Sequence, residues 1–410
     1  MKHNQRTEHQ ADQSHPPQRQ SRGRRPAKAI VIGAGIGGLT AAIALRRVGV
    51  EVEVYERASQ LAAKGSALSV MSNAISALDS LGIDLALERR GQVANTFTIM
   101  DSRGRHIREL PMREVSDALG VPNVCISRAD LQQALLEAAD DCSITLGAAA
   151  TGYTSDVDGV EVEFADGRQA RGDLLIGADG INSVVRHQLV GPEEAKDSGY
   201  ICWLALTSFS HPRLRPGYVG HYWGNGQRFG LIDIGHGRYY WWGTKNMPAA
   251  RSHSWQGGKD EVVSAYSGWA EEVREVIRVT PQDAILGVPS RDRRFLERWG
   301  DGPVTLLGDA AHPMLTTLGQ GAAMAIEDAV VLARTLAEGD DSLPLLLRRY
   351  EGRRRERART MVVASRSMSD LQQMEGPKRL LARDAYFRLV PRRVLLRQQK
   401  AALTFPGIPA

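Results

Sequence analysis

The stretch Lys28-Ala29-Ile30-Val31-Ile32-Gly33-Ala34-Gly35-Ile36-Gly37-Gly38-Leu39 decides the fold. Ala29 to Ile32 is an unbroken apolar run, as expected of a parallel strand covered on both faces. Gly33 to Gly38 then spells G-x-G-x-x-G. From Ile36 to Val48 the apolar residues Leu39, Ala42, Ile43 and Val48 fall on roughly one helical face, and Glu51 to Tyr55 reads as the next strand. A glycine motif between a strand and a helix is the context in which it signals a dinucleotide site. Gly33 permits the tight turn, Gly35 lets the backbone approach a pyrophosphate, and Gly38 allows close helix–strand packing. The helix N-terminus adds free N–H groups and partial positive charge for the phosphates. Glu56 ends the second strand at about the 20-residue spacing of a ribose-binding acid. A carboxylate there accepts from ribose hydroxyls and repels a 2′-phosphate, which favours FAD or NAD over NADP. The spacing does not separate those two.

Outward from this unit, residues 1–26 are rich in Gln, His, Arg, Ser and Pro without periodicity, and a disordered basic tail is expected. No apolar segment follows Arg24-Arg25, so the tail does not read as a signal peptide. Its His3, His9 and His15 are too widely spaced for a rigid metal site, and no metal is expected elsewhere. Toward the C-terminus the sequence predicts a helix from Arg128 to Ala139, a hairpin of Val160–Phe164 and Gln169–Arg171, and a buried strand at Leu174–Ala178. Gly199–Lys245 is strand-rich, aromatic and punctuated by glycine. A helix over Glu261–Val276, a strand at Val304–Leu307 and a helix from about Gly321 to Leu336 follow. From Leu343 the chain is helical and basic. This order predicts an α/β protein: a Rossmann-like FAD-binding domain interrupted by a β-rich substrate domain, with a C-terminal helical extension. The expected boundaries are 27–92, 112–195 and 285–345 for the first domain, 93–111 and 196–284 for the second, and 346–410 for the helices.

Composition narrows the class. No run reaches the roughly 18 apolar residues of a membrane span. Cys125, Cys142 and Cys202 form no C-x-x-C pair, and an odd count argues against a disulfide framework, so a reducing cytoplasm is expected. The formal charge of +5 is concentrated in Arg19–Lys28 and Arg348–Arg359. These runs read as a solvated tail and a helix surface; no motif supports nucleic-acid binding.

Two further segments carry chemistry. Asp173-Leu-Leu-Ile-Gly-Ala-Asp179-Gly180-Ile-Asn-Ser183-Val-Val-Arg186 is a strand, a turn and a helix start. Leu307-Gly308-Asp309-Ala-Ala-His312-Pro313 is another strand-to-turn step, running through Gly319-Gln320-Gly321 into a helix with Glu327-Asp328-Ala329. In this order and spacing the three segments resemble the class A FAD-dependent monooxygenases, the para-hydroxybenzoate hydroxylase family. The likeness is to the branch of salicylate hydroxylase, zeaxanthin epoxidase and FAD-dependent urate hydroxylase, and it covers about Ala27 to Asp370. The resemblance implies that Gly33, Gly35, Gly37 and Gly38 hold the FAD pyrophosphate, Glu56 the adenosine ribose and Arg57 the adenine side. It places Ser69 on a loop returning to the flavin, Arg128 against FAD, and Asp309 on ribityl or pyrophosphate-side hydroxyls. Gly319, Gln320, Gly321 and Ala322 would approach the isoalloxazine, and Asp179-Gly180 would support both FAD and the arriving nicotinamide. Two positions depart from the pattern: Thr316 replaces a common proline and Ala323 a common asparagine.

The resemblance further implies NADH or NADPH as co-substrate, O2 as oxidant and a flavin C4a-hydroperoxide as oxygen donor. That donor requires a dry pocket. Alternate side chains of a strand face opposite ways, so some of the aromatics of Gly199–Lys245 suit its wall while the others pack the sheet: Tyr200, Trp203, Tyr222, Trp223, Phe229, Tyr239, Tyr240, Trp241 and Trp242. Arg228 and Tyr240 fall where the urate-hydroxylase branch carries substrate-side Arg and Tyr, and are the candidate catalytic pair. His312 matches a turn position in that family. The expected partner is a small aromatic or lipophilic molecule, bound by a monomer or homodimer; the basic C-terminal helices read as a cover over the flavin domain, with membrane contact the minority reading. Hydroxylation of an aromatic ring is the leading reading, epoxidation of an isoprenoid or other alkene the neighbouring one, and a flavin dehydrogenase without oxygen transfer a third.

Overall fold

A computed structural model describes residues 27–61, 66–339 and 341–407. The tail expected over 1–26 lies outside them. Lys28–Ile32 runs parallel between Leu174–Gly177 and Glu51–Tyr55 in a six-stranded sheet. Val304–Leu306 and Ser143–Thr145 extend that sheet on either side, and Gly300–Asp301 closes one edge antiparallel. Both faces of the central strands are covered, which is why Ala29 to Ile32 and Leu174 to Ile176 are buried. Helices Ile36–Arg47 and Gly321–Ala337 pack against each other over this sheet. The expected hairpin forms within a separate antiparallel sheet of Ala150–Asp156, Gly159–Phe164 and Gln169–Gly172.

The second large sheet has seven strands. In spatial order they are Leu286–Asp292, Lys196–Ser208, Arg238–Asn246, Gln227–Asp233, Val219–Trp223, Thr98–Asp101 and His106–Glu109. Leu286–Asp292 pairs with Lys196–Ser208, so the boundary expected at 284/285 falls one strand too early. The single helix expected over Glu261–Val276 is two, Lys259–Ala265 and Glu271–Val279. Between them Tyr266 and Trp269 turn inward, with ring centroids 4.8 Å apart and Tyr266 5.2 Å from Phe229. Ser267-Gly268, poor helix formers, occupy the break.

The pleat sorts the aromatic cluster. Trp203, Tyr222, Phe229, Tyr239 and Trp241 face the two short helices and build their core. Cross-strand partners share a face, and the rows Cys202–Thr244–Arg228–Trp223, Leu204–Trp242–Gly230–His221 and Leu206–Tyr240–Ile232–Val219 point the other way. That second face packs on Ala67 and Cys125 of a small three-stranded sheet built from Ala67–Val70, Val124–Ser127 and Gln92–Val93. The cluster is thus divided between the two faces, with Tyr240 and Trp242 on the second and Trp203, Tyr222, Phe229, Tyr239 and Trp241 on the first.

From Leu343 to Gln372 a single 30-residue helix, about 45 Å long at 1.5 Å per residue, crosses from the first sheet to the second. Helices Pro377–Leu389 and Arg392–Leu403 follow. The basic run Arg348–Arg359, expected as solvated surface, is in part internal. Arg354 is 1% exposed, binding Asp328 (2.6 Å) and Glu327 (2.7 Å), and Arg357 also pairs with Glu327 at 2.7 Å. A carboxylate pair buried in helix Gly321–Ala337 requires these counter-charges. Among the described residues no helix is long and apolar enough to cross a membrane.

Candidate active site

The glycine loop closes on itself. Gly33 has φ +106°, and a Cβ there would lie 2.5 Å from the Ala178 carbonyl oxygen. A Cβ on Gly38 would sit 1.8 Å from the Gly33 carbonyl oxygen. That contact, with Ala178 Cβ at 3.4 Å, is the close helix–strand approach expected of Gly38; Gly37 adds a second, where a Cβ would meet Leu307 at 2.8 Å and Ala325 at 3.2 Å. Gly35 is different: a Cβ there would meet nothing within 4 Å. This is the open side, where a pyrophosphate can approach. Glu56 accepts from the Ala34 N–H and the Ala58 N–H, both at 2.9 Å, so its carboxylate lies against the loop. Arg57 is exposed beside it.

The other two motifs meet this cradle. The Leu307 N–H donates to Gly177 at 2.9 Å, and the Gly308 N–H to Asp328 at 3.1 Å. Asp309 is exposed on the turn that follows Leu307. The surrounding protein raises its carboxyl above the usual range, against the pull of His312 and Arg128. Asp179 accepts from Val184 N–H at 2.7 Å through one oxygen, while the other is buried without a partner; burial raises this carboxyl too. An orphaned acceptor beside an open loop fits the hydroxyl-rich ligand the motifs imply.

Two residues that the sequence reading passed over hold these parts together. Arg186, 2% exposed, donates to the carbonyls of Ala310 and Ala311, each at 3.1 Å, and buckles the second motif to the third. Gln132, on the helix Arg128–Ala138, donates to Ala34 at 3.1 Å. Arg186 lay within a quoted motif, but a glutamine on a helix carries no signal of its own.

At the flavin end, Gly321 and Ala322 are half-buried at the start of their helix. Gln320 turns into the protein, accepting from Asn73 at 3.0 Å and donating to the Met71 sulfur at 3.0 Å, so only its backbone is left for a ligand. A Cβ on Gly319 would lie 2.9 Å from Met71. Ser69 Oγ sits 3.3 Å from Cys125 Sγ on the strand pair beneath the substrate sheet. Ala323 is fully buried and Thr316 exposed. His312 Nε2 lies 2.6 Å from Asp328. That Asp is held at a pKa of about 2: burial opposes its ionisation, but the charges of His312 and Arg354 prevail.

Arg228 and Tyr240 share the sheet face turned toward Ala67 and Cys125. Arg228 is 1% exposed, its guanidinium 4.8 Å above the Trp242 ring. It donates to the side-chain amide oxygen of Gln372 at the end of the long helix, its Nε is buried without a partner, and it forms no ion pair among the described residues. Burial draws its pKa below the ordinary arginine range; the group nonetheless stays charged at working pH. Burial raises the Tyr240 phenol strongly, with Arg128 pulling the other way, so its hydroxyl is a donor. Arg238 pairs with Asp130 at 2.7 Å, joining the same sheet to the Arg128 helix.

A doubly covered parallel sheet, a glycine cradle with one open position and an unpartnered Asp179 oxygen beside it fit a dinucleotide-binding fold that carries a second, aromatic sheet. The FAD binding domain family matches residues 26–365. The chain is 38% identical over 367 residues to an aurachin C monooxygenase/isomerase of Stigmatella aurantiaca, covering 88% of this chain and 94% of that protein. It is 33% identical over 350 residues to an FAD-dependent urate hydroxylase of Klebsiella pneumoniae, covering 84% and 90%. The crystal structure of Klebsiella pneumoniae HpxO complexed with FAD and uric acid superposes with a TM-score of 0.85 at 30% identity, over 92% of this chain and 96% of that one. The chain belongs to the class A FAD-dependent monooxygenases.

Proposed function

We propose that this enzyme hydroxylates a flat, electron-rich aromatic or heteroaromatic molecule held between the Arg228–Tyr240 face and the flavin, with NADH or NADPH as reductant. One observation carries the reading: Arg228 is a buried cation with no carboxylate partner among the described residues, stacked on Trp242 in the sheet face that packs on Ala67 and Cys125. A buried charge left uncompensated is costly. The cost is relieved when a ligand brings a conjugated oxygen, or negative charge develops on it. When bound, FAD supplies the two-electron chemistry that couples nicotinamide oxidation to O2 activation. Gly33 to Gly38 and Glu56 would hold its adenosine diphosphate half, and Arg128, Asp309 and the Gly321–Ala322 helix start its flavin half. Tyr240 donates a hydrogen bond across the pocket. Leu204, Leu206, Ile232 and Trp242 keep water out.

The test is a compound screen with FAD-loaded protein, recording NADH and NADPH oxidation and product mass. Uric acid, the ligand of the Klebsiella relative, is a fitting first compound. The expected result is faster oxidation with one aromatic class and a product heavier by one oxygen on the ring. Stimulated oxidation yielding only H2O2, or an epoxidised alkene as product, would overturn the reading. Arg228→Gln should retain FAD and lose the stimulation.

A further inference from the structure

We infer that the outer surface of the two C-terminal helices docks on an anionic lipid bilayer, as a peripheral contact and not a span. Helix Pro377–Leu389 has one committed face. Phe387 meets Trp223 edge-on with ring centroids 4.7 Å apart, and the Arg383 guanidinium lies 5.3 Å over the same indole. The opposite face is bare. Leu381, Ala385 and Leu389 recur at four-residue spacing, which puts them on one stripe, with Tyr386 beside it. Leu381 is 69% exposed, Leu389 79% and Tyr386 53%. Arg379 and Arg388, both exposed, stand on either side. Single exposed leucines need no explanation; an apolar stripe rimmed by charge marks an interaction surface. Helix Arg392–Leu403 follows after Val390-Pro391. It packs Leu396 and Leu403 on Met112, Val115 and Leu119, and turns Arg393, Arg397 and Lys400 outward with Val394 among them.

Charge decides what covers this surface. Residues 377–403 hold eight basic residues and one acidic residue, Asp384, which Arg383 takes at 2.9 Å. Arg392 pairs with Glu114; the other exposed cations of the two helices have no acidic partner among the described residues. Residues 27–376 have the opposite sign, with 38 basic and 44 acidic residues. An anionic plane therefore attracts the C-terminal surface and repels the rest of the folded chain, which fixes the orientation. A second copy of this chain does not fit: in a two-fold contact the patch meets itself, cation against cation. A nucleic acid would use the arginines and leave the leucines in water. A bilayer takes both, its phosphates pairing with Lys and Arg while Leu381, Leu389 and Tyr386 enter the boundary beneath them. The patch lies one helix away from Trp223, the cross-strand partner of Arg228, so docking brings the second sheet, and not the cofactor sheet, to the lipid.

The experiment sediments full-length, FAD-loaded protein with vesicles of phosphatidylcholine alone, or of phosphatidylcholine with about 30% phosphatidylglycerol. Two variant sets alter exposed positions outside the cofactor site: Leu381→Ser with Leu389→Ser, and Arg388→Gln with Arg393→Gln and Arg397→Gln. Both should keep the wild-type flavin content and melting temperature. The expected result is binding to the phosphatidylglycerol vesicles, weakened about 10-fold or more in each set, and little binding to phosphatidylcholine alone. Failure of the wild type to bind the anionic vesicles overturns the inference. So does a loss confined to one set: arginines alone would mean electrostatic adsorption, leucines alone adhesion indifferent to headgroup charge. Undiminished binding by both sets would put the contact elsewhere, such as on the basic residues 1–26, and the inference falls. A wild-type dimer that Leu381→Ser with Leu389→Ser turns into a monomer would give the stripe to a second copy and overturn it as well.

Discussion

Single residues set the terms of the cofactor site. Gly35 has free space where a side chain would go, so Gly35→Val should fold with a near wild-type melting temperature yet purify colourless, because the valine occupies the pyrophosphate's approach. A yellow Gly35→Val protein would contradict the cradle. Asp309→Ala should weaken FAD retention by about 1–3 kcal/mol, the cost of leaving ligand hydroxyls unpaired; titration of the apoprotein with FAD measures it. His221 carries a pH signature. Its folded pKa of about 3 lies below the ordinary 6.5, so below pH 6.5 the unfolded chain binds a proton that the folded chain refuses. Stability should fall as pH drops from 6.5 toward 3, by up to about 1.4 kcal/mol per pH unit from this group. Denaturant titrations at pH 7.5 and 5 should show a smaller acid loss in His221→Phe than in wild type. The glycines and Glu56 were legible in the sequence because their spacing is local. Arg186, Gln132 and His221 were not singled out, since their partners come from distant segments or, for His221, are missing.

Elements were legible to the degree that each makes its own pattern. The strand–glycine–helix unit and the long helix Gly321–Ala337 stand within a residue or two of expectation. The two helices read as one were misjudged because Tyr266 and Trp269 are drawn inward by the sheet, an influence outside the segment. Within the helix Leu343–Gln372, the run Arg348–Arg359 reads as solvated surface because arginines repeat along it. Its inner face instead meets Glu327 and Asp328, both fully buried. Arg354→Met should cost about 3–5 kcal/mol, since it leaves buried carboxylates short of counter-charge. Thermal melts of the purified variant check this, and a loss below 1 kcal/mol would show the network to be dispensable. Asp328, with a folded pKa of about 2 against 3.8 ordinarily, contributes stability above pH 3.8 that is lost as pH falls toward 2.

At the scale of the whole molecule, the long helix joins the two sheets: Arg354 and Arg357, near its middle, neutralise the carboxylates of Glu327 and Asp328, and Gln372 at its C-terminal end takes Arg228. Deleting residues 343–410 should therefore abolish soluble, flavin-binding protein rather than release an independent domain. Recovery of a folded, yellow fragment 1–342 would refute that dependence. The surface pair Arg238–Asp130 between sheet and helix is half-exposed, so Arg238→Ala should change stability by less than about 1 kcal/mol.

Taken alone, the order of residues was enough to establish the dinucleotide unit, the family likeness and the cofactor, because turns and strand–helix spacing are short-range and a phosphate cradle tolerates few side chains. It could not say which aromatics form core and which form pocket, nor that an arginine run is interior. Those outcomes depend on strand register and on which segment lies opposite, and a shift of one residue in pairing would exchange the two faces of the sheet.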